Sequence, residues 1–168
     1  SKSQIDVDST SYSFDNFTIE NGFQFLNLQG TLSEKPTDTL QVIANNINIS
    51  PLNMFTKSMN LQLEGVLNAD MKVSQIYSNP FIGSKIDLKK LTINKQLIGD
   101  TEISTEWDPF LEMIHLEWLS TIKETEVLNI IGDFDPATTR MNFRLFVDRF
   151  NLNILEPYME GVLHDLEG

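Results

Sequence analysis

From Leu61 to Val73 the odd positions read Leu61, Leu63, Gly65, Leu67, Ala69, Met71 and Val73. The even positions are Gln62, Glu64, Val66, Asn68, Asp70 and Lys72, polar with one exception. Strict period-two alternation describes a strand with one dry face and one wet face. At roughly 3.3 Å per residue this run spans about 40 Å, twice the usual strand. A ribbon of that length, apolar on one side only, is the strongest constraint on the fold.

The remainder of the chain is built in the same style. SYSFDNFTIE, GFQFLNLQG, TLQVIANNINI, KIDLKKLTI, DTEISTEW, MIHLEWLS, EVLNIIG and RMNFRLFVD all read as strands. The punctuation between them has turn chemistry: Glu34 to Asp38, Asn79-Pro80, Gly99-Asp100 and Asp135-Pro136. Helical spacing is confined to SPLNMFTK, with Ser50 as N-cap and Pro51 in the first turn, and to ILEPYMEGVL near the end. The expected fold class is all-β: an elongated, curled sheet with one short helix near 51–57 and a second near 154–163.

The chain also repeats itself. Residues 45–65 align with 148–168 without a gap, through Asn48/Asn151, Leu52/Leu155, Leu63/Leu166, Glu64/Glu167 and Gly65/Gly168. Upstream, the stretch from Gly30 matches that from Gly132 with a one-residue slip, and FDNFTI (14–19) resembles LKKLTI (88–93). The order is strand pair, Gly-led strand, short helix, long strand, and then the same again, with an insert in the second copy long enough for two more strands. This divides the chain into a partial repeat, 1–65, and a second repeat, 66–168, of an array cut from a longer protein.

One irregularity recurs. Tyr12, Phe14, Phe17 and Ile19, and likewise Ile86, Leu88, Leu91 and Ile93, are spaced by two, three and two. The extra residue flips the dry face, so either a β-bulge restores it or the strand serves both faces. Gly65 marks another bend. A strand that bends at glycines and bulges wraps a sheet into a trough.

Composition removes several function classes. A net charge of −12 argues against nucleic acid, whose phosphates need a basic face. The absence of cysteine removes disulfides, thiolate catalysis and Cys-ligated metals. No run approaches a membrane-spanning length. Two histidines, His115 and His164, and no HExxH, phosphate loop or nucleophile elbow leave catalysis without a foothold. His115 reads as a solvent-exposed residue. Asp133 and Asp135 read as a capped turn rather than a calcium loop. Neither an enzyme nor a cofactor or metal site is expected.

The segment from Leu63 to Ser104 resembles the repeat of the TamB family in the AsmA-like superfamily. The motif elements are Gly65, the alternating strand 66–74, Asn79-Pro80, Gly83, Leu91-Thr92-Ile93 and Gly99-Asp100, and LEPYMEGVLHDLEG is similar to that family's entry into a further repeat. The likeness implies a β-taco, a long sheet curled into an open, U-shaped groove. It further implies a periplasmic segment of a parent chain anchored in the inner membrane. Such a parent partners an outer-membrane barrel protein, supports outer-membrane biogenesis and moves phospholipid between membranes.

On that reading Leu61, Leu63, Leu67, Ala69, Met71 and Val73 line the groove with Ile86, Leu88, Ile103, Ile114 and Leu116. Met141, Phe143, Leu145 and Val147 continue the lining, and phospholipid acyl chains are the expected ligand. Asn68, Asp70, Lys72, Arg140 and Arg144 face outward. A closed β-sandwich core would use the same residues. A scaffold or chaperone module would instead offer its open sheet edges to unfolded outer-membrane strands. Edge-to-edge self-association of the segment is expected in either case.

Overall fold

A computed structural model describes residues 4–8, 10–35, 37–74 and 81–148. The strands are β1 (Gln4–Val7), β2 (Ser11–Asn21), β3 (Gln24–Ser33), β4 (Leu40–Asn48), β5 (Leu63–Ser74), β6 (Phe81–Ile93), β7 (Gln96–Asp108), β8 (Met113–Ile122), β9 (Thr125–Asp135) and β10 (Arg140–Val147). Each pairs antiparallel with the next, giving one ten-stranded sheet in sequence order. The sheet is open, because β1 and β10 are its two edges, and its architecture is the elongated, curled all-β form expected from the alternation. A closed sandwich is ruled out: there is one sheet and no second layer of strands among the described residues.

The phase slips are resolved as bulges. In β2 the register jumps between Phe14 and Phe17, in β4 between Ala44 and Ile47, and in β6 between Leu88 and Leu91. At each jump one residue takes a left-handed conformation: Asn16 (φ 47), Asn46 (φ 53) and Lys90 (φ 53). The extra residue absorbs the odd step, so the apolar residues on either side return to the same face. Phe14 and Phe17 meet edge to face at 6.4 Å across their bulge. Two of these bulge amides are satisfied from the next strand, Asn46 N donating to Asn68 Oδ1 at 2.9 Å and Lys90 N to Asp100 Oδ1 at 2.9 Å. The matched segments 14–19 and 88–93 therefore share their local geometry, and the second is followed by β7 and β8 before the Gly132 strand.

Gly65 lies against the Lys90 bulge at φ 148, where a Cβ would come within 3.1 Å of Lys89 O. Its carbonyl accepts the Ile49 amide at 3.1 Å. Between β4 and β5 the chain runs through a 3-10 turn (Ser50–Leu52), the helix α1 (Asn53–Thr56) and a second 3-10 turn (Lys57–Met59). The side chain of Asn53 pins this segment to β5, accepting from Leu63 N at 2.7 Å and donating to Leu63 O at 2.9 Å. Ser50 is the first residue of the turn and makes no cap; Asn48 Oδ1 accepts the Ser50 amide at 3.0 Å.

One further expectation changes. Gly99-Asp100 is not a reversal but lies inside β7, where Gly99 (φ 106) lets the neighbouring strand approach. The reversal is Asn94-Lys95, both left-handed, with Lys123-Glu124 repeating the device between β8 and β9. The expected turn at Asn79-Pro80 and the helix at 154–163 lie outside the described residues.

One buried cluster forms where β6, β7 and β9 meet Ile49, while Leu40, Ala44, Ala69 and Ile114 are buried outside it. Ile49, Leu91, Ile98, Val127 and Leu128 form the buried cluster, with Leu63, Leu67, Leu88, Ile93, Trp118, Ile122 and Ile130 packed against it. At roughly 2 kcal/mol for each fully buried aliphatic side chain, this corner anchors the fold.

Candidate functional site

The register defines what the sheet offers. Residues paired across antiparallel strands share a face. Leu40, Val42, Ala44 and Ile47 lie opposite Val73, Met71, Ala69 and Leu67. Those β5 residues lie opposite Ile82, Ser84, Ile86 and Leu88. The row continues through Thr105, Ile103 and Thr101 on β7 to Leu116, Trp118 and Ser120 on β8. From there it reaches Gly132, Ile130 and Leu128 on β9, and Phe143, Leu145 and Val147 on β10. In the other direction it passes Leu26 and Leu28 on β3 to Phe17 and Ile19 on β2, and ends at Ile5 and Val7 on β1. Every strand thus gives a row of apolar residues to one side, while Ile43, Val66, Leu119, Ile131 and Phe146 stand on the other.

Of the residues expected to line a groove, Leu67, Ala69, Met71, Val73, Ile86, Leu88, Ile103, Ile114, Leu116, Met141, Phe143, Leu145 and Val147 stand on this side by register. Leu63 pairs with Ile93 and packs on the buried cluster. Leu61 precedes β5: its amide donates to Thr56 O at 3.2 Å, which ties it to the helical segment instead. The expected lining left out β1 altogether and named no residue of β2, β3, β4 or β9, although the same alternation marks them.

Exposure along the face is graded. In the centre Ala69, Ile114 and Leu128 are buried and Leu67, Met71, Ile86 and Leu116 half-buried. Towards the edges Ile5, Val7, Ile19, Met141, Phe143, Leu145 and Val147 are exposed. Hydroxyls on this side are internally satisfied. Thr101 Oγ1 and Ser120 Oγ are 2.8 Å apart, Trp118 Nε1 donates to Ser120 Oγ at 2.8 Å, and Ser84 Oγ and Thr105 Oγ1 are 2.8 Å apart. Paired hydroxyls present little unmet polarity, so they do not interrupt the dry surface.

The opposite side carries the charges: Asp70, Lys72, Lys85, Asp87, Glu102, Glu106, Glu117, Asp133 and Arg144 alternate with the apolar set. His115 belongs to it and is not simply solvated. Its Nδ1 lies 2.9 Å from Asp133 Oδ1 on β9 and its Nε2 3.5 Å from Glu117 Oε1, with Glu106 opposite on β7. The hydrogen bond to Asp133, aided by Glu117, raises its pKa above the ordinary value of 6.5. The stability this pairing contributes is therefore present below pH 6.5 and is lost as pH rises through the higher folded-state value. The ring is 42% exposed, so the effect on stability is small. NMR titration should give a His115 midpoint above 6.5, and Asp133→Asn should lower it; an unchanged midpoint in that variant would refute the pairing.

Asp135 accepts from the amides of Ala137 and Thr138 at 3.0 and 3.2 Å and so caps the β9–β10 turn. Asp8 and Asp108 cap the β1–β2 and β7–β8 turns in the same way. Hydrogen bonding to these turn donors holds the carboxyls of Asp8 and Asp135 below the usual range. Among the described residues no group of histidines and carboxylates is arranged to hold a metal ion, and no helix is long and apolar enough to cross a membrane.

No protein-family model matches this chain, and no curated protein or solved structure matches it.

Proposed function

We propose that this chain is a segment of a TamB-like periplasmic protein whose apolar side shields phospholipid acyl chains on their way between two membranes. The observation that supports this reading most is the continuity of that side. Each of the ten strands gives a row of apolar residues to one face, and bulges at Asn16, Asn46 and Lys90 return those rows to it after an odd step. A fold that needed only a closed core would cover this face; here it is left open towards both edges. Transfer of one methylene group out of water is worth roughly 0.8 kcal/mol, so partial shielding of a chain amounts to several kcal/mol. Lipid headgroups would remain in water beyond the strand ends. Such a task requires no catalytic residue.

The test is site-specific photo-crosslinking in cells producing the parent protein. A crosslinker at Met71 or Leu145, on the apolar side, should capture phospholipid. One at Asp70 or Arg144, adjacent in sequence but on the opposite side, should not. Equal capture at all four positions, or capture at none, would sink the lipid reading. Recovery of bound β-strand peptide by native mass spectrometry would instead support a scaffold that pairs with outer-membrane strands.

A further inference from the structure

Because each strand runs antiparallel to the one before it, the connections after β2, β4, β6 and β8 lie at one end of the sheet. Those after β1, β3, β7 and β9 lie at the other. The two ends differ in charge. Asp8, Glu34, Asp38, Asp108, Glu112 and Asp135 stand at the second end, against Lys35 and Arg140. At the first end the connections after β2, β4 and β6 carry Lys57 and Lys95 and no carboxylate. Glu20 and Glu64 lie one residue inside the adjoining strands, and after β8 Lys123 stands beside Glu124. Between Asp38 and Glu64 there is no acidic residue at all, in a chain that holds 24. Strands of 12 or 13 residues hold the two ends apart. That is about 40 Å, against a screening length of about 8 Å, so the acidic end does not govern the field at this one.

The connection after β4 also reverses the usual order of burial. Its polar residues Asn53 and Thr56 are half-buried and turned to the sheet. Asn53 holds both the amide and the carbonyl of Leu63, and Thr56 Oγ1 donates to Leu61 O at 2.6 Å. The apolar residues between and beside them face water: Met54 is 74% exposed, Phe55 70%, and Leu52 is exposed as well. Phe23, in the neighbouring connection after β2, is 90% exposed at the same end. Lys57 and Lys95 are exposed, and among the described residues neither is in an ion pair. These residues lie at the ends of β2 to β7, three strands or more from β10.

We infer that this end of the sheet docks on a bilayer surface that carries anionic phospholipid. Phe23, Met54 and Phe55 enter the boundary between headgroups and acyl chains, and Lys57 and Lys95 meet the lipid phosphates. Apolar side chains presented together with lysines are what interfacial binding uses, whereas lysine is depleted in interfaces between proteins. The hydrogen bonds from Asn53 and Thr56 hold the segment to β5, so Met54 and Phe55 are presented without an ordering step. Docked in this way the strands stand upright on the bilayer, with the acidic end pointing away from it. The inference rests on this end alone and does not need acyl chains to travel along the apolar side.

Co-sedimentation of the intact chain with phosphatidylcholine vesicles, with and without phosphatidylglycerol, tests it. Binding should require phosphatidylglycerol and should weaken as salt is raised. Lys57→Gln and Lys95→Asn should each reduce it about fivefold. Met54→Ser combined with Phe55→Ser should reduce it about tenfold or more, with circular dichroism unchanged because both residues are exposed. Phe110→Ser is the control: Phe110 is equally exposed but stands at the acidic end, so its loss should change nothing. Leu145→Asp, on the apolar side, should also leave vesicle binding unchanged, which separates docking from acyl-chain shielding. Phe55→Trp should show a blue-shifted emission on the anionic vesicles. No binding, equal binding to pure phosphatidylcholine, or equal losses for Phe110→Ser and the Met54 and Phe55 pair would each overturn the inference. So would self-association in solution that the Met54 and Phe55 pair abolishes, since a second copy would then be what covers this end.

Discussion

Gly99→Val should unfold or severely destabilise the sheet, with a loss of about 3 kcal/mol or more in denaturant unfolding. Two causes act together. Gly99 has φ 106, which a β-branched residue adopts only with strain. A Cβ there would also fall on Thr121 O, and within 2.8 Å of Thr121 C and 2.9 Å of Ile122 Cγ1. The obstacle is mostly backbone, so it cannot rotate aside. The neighbour Ile98 is 0% exposed at the heart of the buried cluster, which means any shift of β7 is transmitted into the core. Gly22 provides the control. It also has a positive φ, but nothing lies within 4 Å of its Cβ position, so Gly22→Ala should cost only about 1 kcal/mol. Equal effects at the two glycines would show that close approach at Gly99 is unimportant.

The second large effect compares two leucines on the same face. Leu128→Asp should unfold the protein, because Leu128 is 7% exposed within the cluster and an unpaired charge there is very costly, about 3–5 kcal/mol. Leu145→Asp should leave the fold in place, since Leu145 is 49% exposed on β10 and its new carboxylate reaches water. If acyl chains travel along this face, Leu145→Asp should nevertheless abolish lipid capture at Leu145's neighbours and block transfer in cells. Measured unfolding curves for the pair separate the two roles of one surface. Should Leu145→Asp unfold the protein as thoroughly as Leu128→Asp, the face is an ordinary core throughout.

These contrasts have a common origin. The sheet is a single layer, so its apolar side is covered only where the chain folds over it. That happens beside the helical segment Ser50–Met59, where Ile49 joins Leu91 and Ile98, and Asn53 clamps the start of β5. Away from that corner Leu40, Ala44, Ala69 and Ile114 are still buried in the middle strands, and the same sequence pattern turns wet towards β1 and β10. Stability should therefore be greatest around β5–β9 and least at β1 and β10, in the sense that amides at the edges exchange first.

Much of this was legible in the amino-acid sequence, because side-chain direction along a strand is a local property with a period of two. The alternation of Leu67, Ala69, Met71 and Val73, and of Met141, Phe143, Leu145 and Val147, determined which residues share a side. The two-three-two spacing around Phe14 and Leu88 posed a choice between a bulge and a two-faced strand. Asp135 two and three residues ahead of its amide partners marked the turn it caps. Other features depended on pairing, which is not local. At Leu88 the choice was made only when Asp100 on the neighbouring strand satisfied the Lys90 bulge amide. The reversal at Asn94-Lys95 escaped notice because two left-handed residues other than glycine leave no compositional trace, whereas Gly99 drew attention for a close approach inside a strand. His115 acquired Asp133 from β9 through register, whereas Glu117 is two residues along its own strand. Above all, alternation specifies a dry side identically for a sandwich and for an open sheet. Only the strand order, each strand beside its successor with β1 and β10 at the edges among the described residues, made the layer single, because a dry face is closed by what the chain brings over it and not by the residues that compose it.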